Sequence, residues 1–401
     1  MWLKVGGLWP LTSGGRLRSF HTIAELSRRH RVSLLTTHGP RDDHESLSGR
    51  LPHCERVISL PHAAPKRNSI RFSAALVRSW FSRYPVDLRK WHVPALRREV
   101  SRLLRTRDID VCVADFLLAI PNVPVTSPVP LILFEHNVEH MIWKRLSQIE
   151  TRPWRRVLLE LEWRKMRKLE AEACLRANLT IAVSEGDRRL LLANAPGARV
   201  CAIPTGVDTS YFTPNGSHEN PAALVFTGSM DWFPNEDAIL HAIHNILPLI
   251  RSAMPEVSLT VAGRNPTSRL RKAAAKAGVR VTGSVDDVRP YIADAAVYVV
   301  PLRLGGGTRL KILEALAMGK AVVSTTIGAE GLPLVPGVHF VRADDPGDFA
   351  RAVLALLRDP TRRKTLGVAG RQLLEQRYSW PEVVHEFEAR CEEVVAHEEK
   401  P

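Results

Sequence analysis

"AAVYVVPLRLGGGTRLKILEALAMGKAVVSTT", Ala295 to Thr326, reads as strand, glycine turn, helix and strand. "AAVYVV" is a short, uninterrupted apolar run closed by Pro301, the pattern of a strand covered on both faces. Gly305, Gly306, Gly307 and Thr308 free the backbone, "LKILEALAM" repeats its apolar residues at helical spacing, and "AVVSTT" starts another covered strand. In a parallel sheet the ligand crevice lies beyond the carboxyl ends of the strands, and this turn falls there.

The same alternation runs along the chain, so the expected class is α/β with mostly parallel sheets. "WLKVGGLW", "RVSLLTT", "DVCVADF", "PLILFEH" and "LTIAVS" read as a first set of strands; "AALVFTG", "VSLTVAG", "RVTGSV", "AAVYVVP" and "AVVSTT" as a second. Between the sets, "IPTGVDTSYFTPNGSHENP" has the Pro, Gly and Asn content of a linker. With 401 residues, two Rossmann-like domains are expected, over 1–202 and 203–375, followed by a last helix over 376–401 crossing back to the first. Pro153 to Arg176 reads as a long packing helix with Leu158, Leu161, Met166 and Leu169 on its apolar side.

The five cysteines are odd in number and scattered without a CxxC pair, which favours free thiols over a disulfide framework or zinc site. No apolar run approaches the ~20 residues of a membrane span. "MWLKVGGLWP" lacks a signal peptide's apolar core and reads as a first buried strand, so the expected location is cytoplasmic. The net charge of +14 is uneven: Lys66 to Arg107 sets twelve cations against Asp87 and Glu99, among Phe72, Trp80, Phe81, Tyr84 and Trp91. That stretch suits an anionic membrane surface, with the protein peripheral on its inner face, or equally a solvated helix pair. Nucleic acid is not an expected partner, because no nucleic-acid module accompanies the charge.

The turn at 305–308 has the chemistry of an anion cradle. Glycines let backbone approach an anion, and the following helix start presents unpaired N–H groups. Arg309 and Lys311 add charge, and Glu314 follows about 9 Å along the helix from Thr308, within reach of ribose hydroxyls when the helix start holds a diphosphate. It is neither a P-loop, for no GK[ST] closes it, nor a GxGxxG fingerprint. Asp108-Ile109-Asp110 imitates a metal-binding Asp-x-Asp but stands at the entry of a strand, away from the crevice. No histidine or cysteine spacing suggests a metal, and no GxSxG suggests a serine hydrolase.

The segment "GSVDDVRPYIADAAVYVVPLRLGGGTRLKILEALAMGKAVVSTTIGAEGL" resembles the C-terminal domain of glycosyltransferase family 4, a retaining, metal-independent family of the GT-B fold. "VFTGSMDWFPNEDAI", "VAGRNP", "IAVSEGDRRLL", "IPTGVDTSYF" and "LTSGGRLRSFHTIAELSRRHRVSLLTT" match further segments, so the resemblance spans nearly the whole chain. It implies two Rossmann-like domains with parallel sheets facing a central cleft. It also implies Glu314 as the donor-ribose ligand, with Gly306, Gly307, Thr308, Arg309 and Lys311 around the diphosphate. Gly228, Ser229, Arg264, Asn265, Gly283 and Val285 are expected to border the donor, and Gly14, Gly15 and Arg16 to form a facing loop that reaches phosphate or acceptor. His136, in "LILFEHNVEHMIWKR", matches the loop histidine near the reacting sugar and could donate a hydrogen bond to a sugar hydroxyl or stabilise developing charge; Glu139 and His140 are expected to be helix-start residues.

Three positions depart from the family pattern. Gly306 stands where its first Glu is expected, and Ser229 and Asn235 stand where many members carry Arg and Lys; Arg309 and Lys311 are the expected replacements. The implied activity is transfer of a sugar from a nucleotide-diphosphate sugar to a hydroxyl of a glycan or lipid-linked acceptor, without a further cofactor or metal. A GT-B nucleotide-sugar epimerase, or a non-catalytic nucleotide-sugar-binding protein, is the alternative.

Overall fold

The computed structural model describes residues 1–398 other than 12, 41, 66–68, 70–73, 78, 80, 81, 83, 107, 215, 217, 218 and 305–308. The chain forms two compact units: Met1–Pro204 with Val383–Pro401, and Thr205–Glu382.

The first unit is built on a seven-stranded sheet. Its strands are β1 (Trp2–Lys4), β2 (Ser33–His38), β3 (Arg56–Pro61), β4 (Cys112–Asp115), β5 (Leu131–Phe134), β6 (Leu179–Ala182) and β7 (Val200–Ala202), in the order β3-β2-β1-β4-β5-β6-β7. Every pairing is parallel. All carboxyl ends therefore lie along one edge, the requirement for a site assembled from several strand ends. The helices that bear on the site are α1 (Gly14–Leu26), α2 (Pro94–Leu104), α3 (Glu139–Ile149) and α4 (Pro153–Arg176).

The second unit has a six-stranded parallel sheet. Its strands are β8 (Asn220–Thr227), β9 (Ser258–Ala262), β10 (Arg280–Val281), β11 (Ala295–Val300), β12 (Ala321–Ser324) and β13 (Val341–Arg342), in the order β10-β9-β8-β11-β12-β13. The opening stretch of sequence supplies β11, helix α5 (Leu310–Ala317) and β12; Ala295–Val300 and Ala321–Ser324 are buried throughout, as covered strands must be. "RVTGSV" contributes only Arg280 and Val281 to the sheet, because Gly283 turns away at φ 77°. The last helix, α6 (Trp380–Glu398), starts in the second unit and from Val383 belongs to the first, where Phe387 packs on Trp2 and Phe134.

Helix α4 has the expected limits, opened by Pro153 at its first position, and its expected apolar side is inward in part. Met166 and Leu169 are buried, as are Glu162 and Glu170, whereas Leu161 is exposed. The buried carboxylates are held: Glu162 accepts from Ser79 Oγ and the Val86 N–H, and Glu170 accepts from the Glu139 N–H and pairs with His140. Each replaces an apolar contact with charge-assisted hydrogen bonds, the condition under which a carboxylate tolerates burial.

All five cysteines are free. Of the aromatics in the basic stretch, Phe72, Trp80 and Phe81 lie outside the described residues, while Tyr84 and Trp91 are half-buried and pack against the first unit's core.

Candidate functional site

In the second unit the candidate site is organised around Gly228, the residue after β8. Gly263 follows β9 so closely that a Cβ on it would lie 1.7 Å from the Gly228 carbonyl oxygen. A Cβ on Gly228 would lie 2.8 Å from Asn235 Nδ2 and 3.2 Å from Lys311 Nζ. Absent side chains thus open the carboxyl ends of β8 and β9.

Lys311, in the first turn of α5, donates from Nζ to Asn235 Oδ1 at 2.5 Å and lies 4.0 Å over the Phe226 ring. Its ammonium therefore sits beside the asparagine that replaces the family's lysine. Asn235 Nδ2 donates to the Ser229 carbonyl at 2.8 Å. Arg264 Nε donates to Ser229 Oγ at 2.8 Å, and Asn265 Nδ2 donates to Asp231 Oδ2 at 2.9 Å. Gly283 bridges to Gly263 across the backbone, and Val285 is half-buried two residues further on. The structure thus gathers Gly228, Ser229, Asn235, Arg264, Asn265 and Lys311 into one network, with Gly283 at its margin. Gly306, Gly307 and Thr308, expected around the diphosphate, lie outside the described residues.

Arg309 precedes α5 in the left-handed region at φ 49°; its side chain is buried and donates from Nη2 to Glu330. Burial, with the Arg309 charge adding to it and Glu314 opposing, lowers Lys311 to about 7. Burial, opposed by Lys311, pushes the Glu314 carboxyl up to about 7. The Glu314 carboxylate makes no hydrogen bond or ion pair with a described residue. A half-buried carboxylate and ammonium three residues apart occupy neighbouring positions on one helix face. Such a pair costs the empty protein free energy that a ligand with hydroxyl donors and an anionic group would return.

The first unit holds a second polar constellation, at the carboxyl ends of β1, β4 and β5. Asp115, last residue of β4, is fully buried and accepts from Trp2 Nε1 at 2.8 Å, Lys4 Nζ at 3.3 Å and His136 Nε2 at 2.8 Å. Burial acts to raise its pKa, but the Lys4 ammonium and His136 override it and hold the carboxyl well below the usual range. Lys4 Nζ also donates to Ser19 Oγ on α1 at 2.9 Å. His136 is 3% exposed, its ring stacked on Phe116 with centroids 3.9 Å apart. Burial lowers its pKa to about 3, so it is neutral at neutral pH.

This geometry corrects the expectation that His136 donates to a sugar. An ionised Asp115 requires the proton on Nε2, so the other nitrogen, Nδ1, is an acceptor. Nδ1 is buried and has no hydrogen-bond partner among the described residues. The side chain can therefore accept from a hydroxyl. Glu139 and His140 open α3, with both N–H groups directed at Glu170.

The facing loop is also corrected. Gly14, Gly15 and Arg16 form the first turn of α1, capped by Ser13 Oγ on the Arg16 N–H. Arg16 is spent on the Gly6 and Pro10 carbonyls and on Asp42. Arg18 is buried, donating to the carbonyls of Glu135 at 2.7 Å and Ile203 at 2.6 Å, and so ties strand ends together. Gly15 is required by packing: a Cβ there would lie 2.5 Å from Phe116 Cζ. Phe116 holds φ 71° while its ring covers His136, so it has little freedom to yield. Gly15→Ala is expected to cost about 1–3 kcal/mol by overpacking, despite alanine's better helix propensity. Urea unfolding checks it, and the cost should vanish in a Phe116→Ala background. Equal stability of Gly15→Ala and wild type would contradict the contact.

Asp108 and Asp110 precede β4 at its amino end, opposite Asp115. Sequence reading passed over Lys4 and Asp115. The available signal was that each ends an apolar strand at the carboxyl side with a charge.

Comparison with known proteins bears on both units. The family model described as "Glycosyltransferase Family 4" matches residues 13–211, and that described as "Glycosyl transferases group 1" matches residues 221–359. A phosphatidyl-myo-inositol mannosyltransferase of Mycobacterium tuberculosis is 28% identical, over 98% of this chain and 97% of its own length. Among solved structures, sucrose-phosphate synthase of Thermosynechococcus elongatus superposes with a TM-score of 0.69 at 16% identity, covering 99% of each chain. Anabaena HepE in complex with UDP and glucose gives a TM-score of 0.66 at 13% identity, covering 98% of this chain and 99% of its own. At such identities these structures speak for the fold alone, which is the two-sheet GT-B type.

Proposed function

Because the chain belongs to the family 4 glycosyltransferases, we propose that it moves a sugar from a nucleoside-diphosphate donor to a hydroxyl acceptor with retention at the anomeric carbon. The observation that carries this reading is the Lys311–Glu314 pair, set at the carboxyl ends of β8 and β11 beside the opening that Gly228 leaves. Glu314 accepts from the ribose hydroxyls. Lys311 and the start of α5 meet the diphosphate and stabilise its charge as it leaves an oxocarbenium-like centre, so the transfer needs no metal. In the first unit, His136 Nδ1 accepts from a hydroxyl of the reacting sugar. The acceptor is a glycan or a lipid-linked glycan. The name of the mycobacterial relative, an enzyme acting on a phosphatidylinositol, supports a lipid-borne one.

A peripheral place on an anionic inner membrane face belongs to the same proposal. Arg97 and Arg98 on α2, and Arg105 just after it, are exposed and form no ion pair with a described residue. No helix of the described residues is long and apolar enough to cross a membrane.

The test is a thermal-shift screen against UDP, GDP, ADP and CMP, then product analysis with the matching nucleotide sugars, with and without EDTA. A nucleotide present at 100 times its Kd should add about 2.7 kcal/mol. Stabilisation by none of them would remove the donor assignment. Consumption of donor to an epimer without acceptor would replace transferase by epimerase.

The pair also fixes a pH profile. Diphosphate binding needs the Lys311 ammonium, and ribose recognition needs the Glu314 carboxylate. Both titrate at about 7, so nucleotide-sugar affinity is greatest near neutrality. Above that, affinity should fall by about tenfold per pH unit as each bound donor must bring a proton to Lys311. Calorimetry in buffers of different ionisation enthalpy measures that proton uptake. Lys311→Gln should flatten the alkaline limb, and Glu314→Gln the acid one. An unchanged alkaline limb in Lys311→Gln would show that another group holds the diphosphate.

A further inference from the structure

The turn that leads from Gly228 into the helix Phe233–His241 carries two aromatic rings into water: Trp232 is 55% exposed and Phe233 60%. Neither ring meets another aromatic or a cation among the described residues. Tyr211, also exposed in the second unit, is by contrast covered by the Arg289 guanidinium, 3.7 Å from its ring. The backbone that presents the two free rings is fixed. Met230 is buried, and its N–H donates to the Arg264 carbonyl at 2.9 Å. The Trp232 N–H donates to the Ser229 carbonyl at 3.3 Å, and the Trp232 carbonyl accepts from the Asn235 N–H at 2.9 Å. Asp231 accepts from Ser229 Oγ on one oxygen and from Asn265 Nδ2 on the other. An aromatic side chain with two torsions, on backbone held this firmly, loses little freedom when a ligand covers it.

Place and surroundings select the ligand. Trp232 stands one turn before Asn235, Asn235 accepts from Lys311 Nζ, and Lys311 lies one turn before Glu314 on α5. A donor with its ribose at Glu314 and its diphosphate at Lys311 brings its sugar, not its base, towards Asn235 and Trp232. Phe233 shares a helix face with Asp237, which accepts two bonds from Arg303, two residues before Gly305. Gly305, Gly306 and Gly307 bring no side chain to a sugar, so contact area for it has to come from neighbouring strand ends. A pyranose ring has a face of C–H groups and a rim of hydroxyls. Here aromatic faces stand beside Arg264 and Asn265, which are exposed and retain hydrogen-bonding groups. A wholly apolar partner would desolvate those groups without replacing their water.

We propose that Trp232, with Phe233 beside it, is the platform on which the pyranose ring of the nucleotide sugar stacks. The C–H face of the sugar lies on the indole, and its hydroxyls remain within the polar margin of Arg264 and Asn265. The inference rests on the nucleotide-sugar reading above and deepens it by naming residues that hold the sugar.

The experiment is titration calorimetry of the full chain with UDP and UDP-glucose, GDP and GDP-mannose, and ADP and ADP-glucose, followed with the cognate pair in the variants. Trp232→Ala should weaken nucleotide-sugar binding by about tenfold, or about 1.4 kcal/mol, while nucleotide binding stays within about twofold of wild type. Phe233→Ala should show the same selectivity with a smaller loss, and Trp232→Phe should recover most of the affinity because it keeps an aromatic face. Both side chains are exposed, so the variants should unfold at the wild-type urea concentration. An equal loss for nucleotide and nucleotide sugar overturns the sugar assignment and gives the ring to the base. Unchanged affinity for both overturns the platform while leaving the donor reading in place. A wild type that binds none of the pairs ends the donor reading and the platform together, so the two failures are told apart.

Discussion

Glu314→Ala lowers affinity for the cognate nucleoside diphosphate by about 100- to 1000-fold and leaves the free protein as stable as wild type, or more so. An ionised carboxylate accepting from two ribose hydroxyls contributes about 1.5–3 kcal/mol for each bond, and two such bonds at about 1.5–2 kcal/mol each account for a loss of that order. The free protein gains because the carboxylate has no partner among the described residues while burial pushes it up to about 7. Removing it also removes the group that favours the Lys311 ammonium, so the residual affinity should decline at lower pH than in wild type. Glu314→Gln keeps an acceptor of similar shape and recovers part of the loss. Titration calorimetry and thermal shift, run together, check both halves. An affinity within about threefold of wild type would mean that the ribose is not held here.

The second unit's candidate site was legible because it is contiguous. Arg309, Lys311 and Glu314 lie within six positions, and a glycine turn between a covered strand and a helix has one meaning in a parallel sheet. The central strands were legible for a related reason: burial on both faces leaves runs such as "AAVYVV" without polar interruption. What escaped were the margins. β3 is half-exposed along Arg56–Pro61, and β7 and β13 are three and two residues long, so none offers a long apolar run. Helix α4 shows the opposite failure. Its limits followed from Pro153, but its inward face could not be read from leucines when Glu162 and Glu170 take inward positions, paired with groups far away in sequence.

The resemblance supplied His136 but not its chemistry. That depends on Asp115, 21 residues earlier, and on Lys4, 111 residues before Asp115. Only the strand order β1-β4-β5 brings them together. Once there, they decide which imidazole nitrogen carries the proton, and with it whether the ring donates or accepts.

Asp115→Ala should therefore be the most damaging single change in the first unit, costing about 3–5 kcal/mol of stability. The substitution leaves the Lys4 ammonium, the Trp2 indole N–H and the His136 Nε2 proton buried without their shared acceptor, and an uncompensated buried charge carries a penalty of that size. Native domains have about 5–15 kcal/mol in total, so most of the margin goes. Urea unfolding followed by tryptophan fluorescence reports it directly, since Trp2 is one of the three donors. The pH dependence gives an independent reading. The folded-state pKa of Asp115 is depressed, so its contribution is present above the unfolded value near 4 and is lost as pH falls through the lower folded value. His136 is depressed to about 3, so the unfolded state binds the extra proton and stability declines as pH falls from about 6.5 towards 3. Wild type should thus weaken progressively in acid, and Asp115→Ala should start from a lower plateau and lose the aspartate's share of the slope. Where Asp115→Ala fails to accumulate as folded protein, Asp115→Asn keeps the volume and one acceptor and should cost about 1–3 kcal/mol. An Asp115→Ala protein within about 1 kcal/mol of wild type would show that Lys4 is held neutral, and that the strand-end network owes its order to packing around Phe116 and Phe134 rather than to charge.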